Sequence, residues 1–353
     1  MGQPCLATIS PITRPRLKKP KKVECLTVPV SSEECRGSDR RKDLNRHYAA
    51  VLGDPIQHSL SPVLHDNGFR AAGLDRWSYE RIRCPKGELE STINSLGPEY
   101  EGFSVTMPGK FEALDFADEV TERAKLIGSA NTLVKIHRAS ADRRSTNGVS
   151  GPTQWRADNT DGEGVVGAVR ELLTAKTSSS SGDDSHSVMV TNAVIVGNGG
   201  TARPALWALA QLGCRNVTVV ARSSRAKQLR PLAEELGIDF SWTLFEHSEK
   251  ACANADVLVS TVPSVAAEPY ADLLSRASAV CDVIYSPWPT PLISHCLAVG
   301  TPCVGGTTML FYQSLSQFEQ FTGHQAPQAA MRQALEEASG VPVGVLNAPG
   351  SAS

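Results

Sequence analysis

No apolar run in this 353-residue chain approaches the roughly 18 residues that a membrane-spanning helix needs, so a membrane-embedded protein is not expected. The N-terminus, MGQPCLATISPITRPRLKKPKK, lacks the continuous apolar core of a secretory signal, and Arg40-Arg41 runs straight into Lys42 and Asp43. Export is not expected either. The nine cysteines contain no CxxC pair, and their odd number and scatter from Cys5 to Cys303 suggest neither a disulfide framework nor a metal knuckle. Reduced thiols of a cytoplasmic protein without a metal centre are the expectation. What the chain does have is 41% hydrophobic content and length for about two domains with separate cores.

Charge is unevenly spread behind the net figure of −2. Residues 1 to 46 hold 11 of the 35 Lys and Arg against 5 of the 37 acids, a net of +6, which leaves the remainder at −8 (24 against 32). The basic run RPRLKKPKK (14 to 22) is broken by prolines and has no interleaved aromatics. A disordered, solvated leader is expected there, not an arm for nucleic acid or a membrane surface.

From Tyr48 the pattern becomes periodic. YAAVL (48 to 52), closed by Gly53-Asp54-Pro55, predicts a first strand; Ser61-Pro62 followed by Leu64, Phe69 and Leu74 predicts a helix with a serine cap and proline in its first turn. Strand and helix then alternate: a strand near 77 to 82, a helix over 86 to 96, a strand over 102 to 106 and a helix from about 111. This βαβ rhythm implies a mostly parallel sheet. Two polar stretches interrupt it. ASADRRSTNGVSGP (139 to 152) suits a long hairpin loop, and KTSSSSGDDSHS (176 to 187) suits a flexible insertion. SGVPVGVLNAPGSAS, from 339, has no periodicity and predicts a loose tail.

VTNAVIVGNGGTARPALWALAQLG (190 to 213) reads as a hydrophobic strand, a glycine-rich turn and a helix. Gly197, Gly199 and Gly200, continuing through Thr201 and Ala202, fit a dinucleotide-binding turn, where missing Cβ atoms admit a pyrophosphate to the free N–H groups of a helix N-terminus. A second strand, Asn216 to Val220, ends in Ala221-Arg222-Ser223-Ser224-Arg225. An NAD site commonly places a carboxylate at this strand end for the ribose 2′-hydroxyl, whereas an NADP site places arginine for the 2′-phosphate. No carboxylate is present, so NADP is the expected cofactor, held mainly by Arg222 with Ser223 and Arg225 in support.

Four short segments set hydroxyl, amide and charged groups at strand ends or turns: SLSP (59 to 62), SVTMPGK (104 to 110), SANT (129 to 132) and NTD (159 to 161). Each alone suits a cap or a turn as well as a binding site. Taken with GDPIQHSLSPVLH (53 to 65), NTDGEG (159 to 164), GNGGTARPA (197 to 205), DVIYSPWPTPL (282 to 292) and GTTMLFYQS (306 to 314), they make the chain from about 47 to 338 resemble the shikimate dehydrogenases.

That resemblance implies reversible, NADP-linked interconversion of 3-dehydroshikimate and shikimate within aromatic amino-acid biosynthesis. Carried over motif by motif, Ser59 and Ser61 would bind the substrate carboxylate together with Tyr285. Lys110 and Asp161 would form the pair at the reacting C–O group. Thr106, Asn131 and Gln313 would hold ring hydroxyls or order that pair, and Met309 would pack by the nicotinamide. The chemistry suits a lysine, since hydride delivery to a ketone leaves an oxygen that needs a proton donor, a service worth about 10²–10⁴ in rate.

The chain departs from the family at several points. Many members carry Asn at the position of Ser104, so a weaker or water-mediated ring contact is expected there, and STVP (260 to 263) replaces an Asn-containing loop. His58 and His65 have no third ligand and are expected to be structural or helix-surface residues.

The expected architecture is α/β: an N-terminal α/β substrate domain over 47–158 with a mostly parallel sheet, completed by C-terminal helices 306–338, plus a Rossmann NADP-binding domain over 159–305. The leader 1–46 and the tail 339–353 are expected to be flexible. The small-molecule substrate is the expected partner of a monomer or homodimer. Two rivals remain: an NAD-dependent quinate/shikimate dehydrogenase, and a non-catalytic metabolite sensor whose basic leader engages DNA.

Overall fold

The structure, a computed structural model, describes residues 46–137, 153–178 and 190–346. The leader up to residue 45, the loop expected over 139–152, most of the insertion and the end of the tail lie outside those residues. Among the described residues no helix is long and apolar enough to cross a membrane.

Two sheets carry the site. The first contains β1 (His47–Gly53), β2 (Trp77–Arg83), β3 (Tyr100–Val105), β4 (Glu119–Val120), β5 (Thr132–Lys135) and β6 (Trp155–Asp158), in the order β2-β1-β3-β5-β6-β4. Only β5 runs against its neighbours. The second contains β7 (Asn192–Val196), β8 (Asn216–Val220), β9 (Asp239–Thr243), β10 (Val257–Ser260), β11 (Val280–Asp282), β12 (Cys303–Val304) and β13 (Val345–Leu346), in the order β13-β12-β11-β10-β7-β8-β9. It is parallel except at β13. The chain reverses its direction of strand addition between β7 and β10, the switch point at which doubly wound sheets take ligands.

The hydrophobic runs explain both sheets. β7 and β10 are buried along nearly their whole length, as expected for strands covered by helices on both faces. Each fully buried Val, Ile or Leu along them contributes about 1.5–3 kcal/mol. The Gly306–Thr322 and Gln328–Ser339 helices return to the first sheet: Leu310, Phe311, Leu315, Phe318, Phe321, Met331 and Leu335 share a core with Ala49, Val51, Leu64 and Phe69.

Some local expectations change. The first helix spans Ser61–Ala71 with Leu60 at its N-cap and no capping side chain; Ser61 is already helical, and only the proline behaves as expected. The second helix is shorter than its pattern, covering Leu89–Ser95. The Asp161–Ser178 helix runs three residues into the stretch assigned to the insertion. The tail begins late: Val341 and Val343 are buried, Val343 in the core shared with the first sheet, and Val345–Leu346 pair antiparallel with β12 at the edge of the second.

His65 lies in the shared core, fully buried, its ring stacked on Tyr79 at 4.3 Å. Neither of its ring nitrogens has a hydrogen-bond partner. Burial lowers its pKa from 6.5 to about 3, with the Gln317 side chain opposing the shift. The unfolded chain therefore takes up a proton below about pH 6.5 that the native state refuses, so this group's contribution is fully present above that pH and lost as pH falls toward 3. Asp282 has the opposite sign: burial raises its pKa to about 6, so it opposes part of that loss between about pH 4 and 6. Urea denaturation at pH 7 and pH 4.5 should show a smaller pH-dependent loss for His65→Leu than for the parent. Equal losses would contradict the assignment.

Candidate active site

The ends of β1, β3 and β6 and the start of β5 meet on one edge of the first sheet. After β3, the Thr106–Gly109 turn leads into the Lys110–Phe116 helix, which opens on Lys110. After β6, Asn159 and Thr160 lead into the Asp161–Ser178 helix, which opens on Asp161. The two first residues meet: Lys110 Nζ donates to Asp161 Oδ2 in an ion pair whose side chains are only 18% and 5% exposed. The backbone N–H of Ala130 donates to the Lys110 carbonyl at 2.9 Å, so the SANT segment is tied to the same turn.

Asn131 is the hub beside this pair. Its amide donates to Asp161 Oδ1 at 2.8 Å and to Thr160 Oγ1 at 3.0 Å, while its carbonyl oxygen accepts from Thr160 N at 2.8 Å. Ser59 and Ser61 follow β1, with Ser61 N donating to Ser59 Oγ at 3.3 Å. Thr106 is half-buried at the end of β3, its methyl packed against Gly53. Gly164 abuts the Met309 backbone and the Gln313 side chain, so these two residues lie within one turn of Asp161. Tyr285, from the segment after β11, packs on the core of the first sheet, and burial raises its phenol pKa.

The second sheet presents the glycine turn at the end of β7. Gly197 has φ of +103°, and a Cβ there would lie 2.7 Å from Val262 and 2.8 Å from Thr261 Oγ1, so only glycine fits. At Gly199 and Gly200 an added Cβ would meet nothing within 4 Å, so protein packing does not demand glycine there and the space in front of both is open. Thr201 stands at the N-cap of the Ala202–Gln211 helix without a capping side-chain bond, leaving its hydroxyl available. Ala202 is fully buried and can offer only its backbone. Arg222 and Arg225 are exposed at the end of β8 and have no acidic partner among the described residues. Ser223 caps the Ser224–Leu229 turn by accepting from Arg225 N, so its hydroxyl is partly engaged.

One expectation changes here. Ser104 does not offer its hydroxyl to a ring: it is 5% exposed and bonded to Tyr79 Oη at 2.5 Å and Gln317 Oε1 at 2.9 Å. β3 turns Ser104 and Gly102 toward the Gly306–Thr322 helix, whose Phe321 ring packs on Gly102. Gln317, Arg81 and Arg203 did not emerge from the sequence. Arg81 donates to the Ser59 carbonyl at 2.6 and 3.0 Å, and Arg203, next to the glycine turn, donates to the Ile127 carbonyl at the end of the Glu122–Ile127 helix. Gln317 had a signal, since it follows Met309 and Gln313 at a spacing of four on one helix face.

Comparison with known proteins matches the same segments of the chain. Residues 51–133 match the shikimate dehydrogenase substrate binding domain, 181–271 the shikimate / quinate 5-dehydrogenase family and 306–336 the shikimate 5′-dehydrogenase C-terminal domain. A shikimate dehydrogenase (NADP(+)) of Microcystis aeruginosa is 31% identical over 301 residues, covering 81% of this chain and 94% of that protein. The crystal structure of Mycobacterium tuberculosis shikimate dehydrogenase superposes with a TM-score of 0.71 at 42% identity, covering 82% of this chain and 99% of that one. That of the Thermus thermophilus enzyme in complex with NADP(H) and shikimate gives 0.64 at 26% identity, covering 83% and 99%. On this agreement of motifs, fold and relatives, the chain belongs to the shikimate dehydrogenase family.

Proposed function

We propose that this protein is an NADP-dependent shikimate dehydrogenase in which Lys110 and Asp161 serve the reacting C–O group. The observation that carries the reading is the shielded Lys110–Asp161 pair, opened by two helix starts onto one sheet edge and steadied by Asn131. NADPH, when bound, supplies the hydride for the ketone of 3-dehydroshikimate. Lys110 Nζ donates the proton that the ketone oxygen then needs, and takes it back in the oxidation direction. Asp161 holds the amine in place. Ser59 and Ser61, with the Tyr285 hydroxyl, bind the carboxylate; Thr106 and Gln313 bind ring hydroxyls, while Asn131 orders the catalytic pair; Met309 packs against the nicotinamide. Gly197, Gly199, Gly200, Thr201 and Ala202 receive the pyrophosphate, and Arg222 and Arg225 the 2′-phosphate.

The chain is read as two domains, 47–158 with 306–338 and 159–305, acting in the cytoplasm as a monomer or homodimer. The quinate reading stays in view because one matched family covers both substrates. A sensor without turnover has no need of the Lys110–Asp161 pair.

NADPH deuterated at its transferring position, supplied with 3-dehydroshikimate, should yield shikimate carrying that deuterium by mass spectrometry. Unlabelled product, or none, would overturn the reading.

A further inference from the structure

We infer that Gln317 is a positioning residue for the Lys110–Asp161 pair, acting through Thr132 and Asn131 as a middle link of a buried hydrogen-bond chain that runs in one direction. The inference rests on the proposed roles of Lys110 and Asp161.

Donor counting fixes the direction. Ser104 has one hydroxyl proton and spends it on Gln317 Oε1 at 2.9 Å, so in its 2.5 Å contact with Tyr79 the tyrosine must donate. Gln317, its Oε1 so engaged, turns Nε2 to Thr132 Oγ1 at 3.0 Å and to the Asn131 backbone carbonyl at 3.3 Å. Thr132, having accepted, donates to Asn131 Oδ1 at 2.8 Å, which also accepts from Thr160 N at 2.8 Å. Asn131 is thereby left with its NH₂ toward Asp161 Oδ1 at 2.8 Å, and an ionised carboxylate can only accept. The reverse orientation of the Asn131 amide would set oxygen against oxygen beside Asp161 and orphan two donors behind it.

Burial gives the chain its weight. Gln317 is 1% exposed, Thr132 fully buried and Asn131 3% exposed, so no water replaces a lost link at small cost. Tyr79, at the far end, is clamped by its stack on His65. The amide that steers the pair thus comes from the same helix face as Met309 and Gln313, eight and four residues earlier. Ser104, at a position where the resemblance sets a ring contact, serves here as the link that orients Gln317.

Gln317→Leu, Ser104→Ala and the double variant test this in the shikimate and NADP assay, with thermal melting of each. Gln317→Leu should lower kcat about 10- to 100-fold while KM for NADP stays within about twofold, a split that general loosening of the fold would not give. Ser104→Ala should lower kcat less, and the double variant should be no worse than Gln317→Leu alone, because the two act in series. Unchanged kcat in both single variants, or losses that multiply in the double, would overturn the inference. Should Gln317→Leu fail to fold, Ser104→Ala decides: reduced kcat at near-parental melting temperature supports the chain, and unchanged kcat overturns it. A parent protein that turns over shikimate while the variants match it sinks this inference alone; a parent without turnover sinks the proposed function, and this inference falls with it.

Discussion

Lys110→Ala should bind NADP within about threefold of the parent yet lose about 10²–10⁴ of kcat, the range for removal of a positioned proton donor. Lys110 touches Asp161 and no other charged group among the described residues, and it opens its helix instead of filling a core. Its truncation leaves the nearly buried Asp161 carboxylate without its cation, so the melting temperature should fall as well, and the catalytic role is read from kcat lost while NADP binding is kept. Asp161→Asn should follow it in direction, since an amide cannot hold the ammonium by charge while accepting from Asn131 on its other side. Steady-state kinetics with direct NADP titration distinguish the cases: near-normal kcat in Lys110→Ala would remove it from the chemistry, and lost NADP binding would make it structural.

Arg222→Ala carries the second large expectation. A charge-assisted bond to a phosphate is worth about 1.5–3 kcal/mol, or roughly tenfold to over a hundredfold in affinity. Arg222 is exposed, so screening favours the lower end of that range. KM for NADP should therefore rise about tenfold, while KM for NAD, which has no 2′-phosphate, should stay put. A parallel rise for both cofactors would mean that Arg222 shapes the loop without reading the phosphate. Arg225→Ala should show the same selectivity with a smaller rise, because it stands three positions further past the end of β8 than Arg222.

How far these roles could be read in advance depended on how local their causes are. β7 and β8 follow from apolar runs that end in a glycine turn and an arginine pair, signals contained within a few residues. Lys110 and Asp161 belong to different segments 51 positions apart, and composition alone gave no reason to pair them. Only the ordered set of motifs did. Ser104 was misread because its partners, Tyr79 and Gln317, stand 25 positions before it and 213 after it. β13 was missed for a similar reason: two residues show no period, and their strand exists only because β12 offers an edge. The Ser61 cap failed on a finer point, since a serine one position inside the helix start cannot serve as its N-cap.

The most direct test of the whole account is the initial rate of absorbance gain in the reduced-nicotinamide band for the purified chain, given shikimate or quinate with NADP or NAD in all four combinations. Turnover concentrated in shikimate with NADP is the predicted result. A preference for quinate or for NAD would contradict the proposed specificity, and no turnover in any combination would contradict the assignment of Lys110 and Asp161 to catalysis.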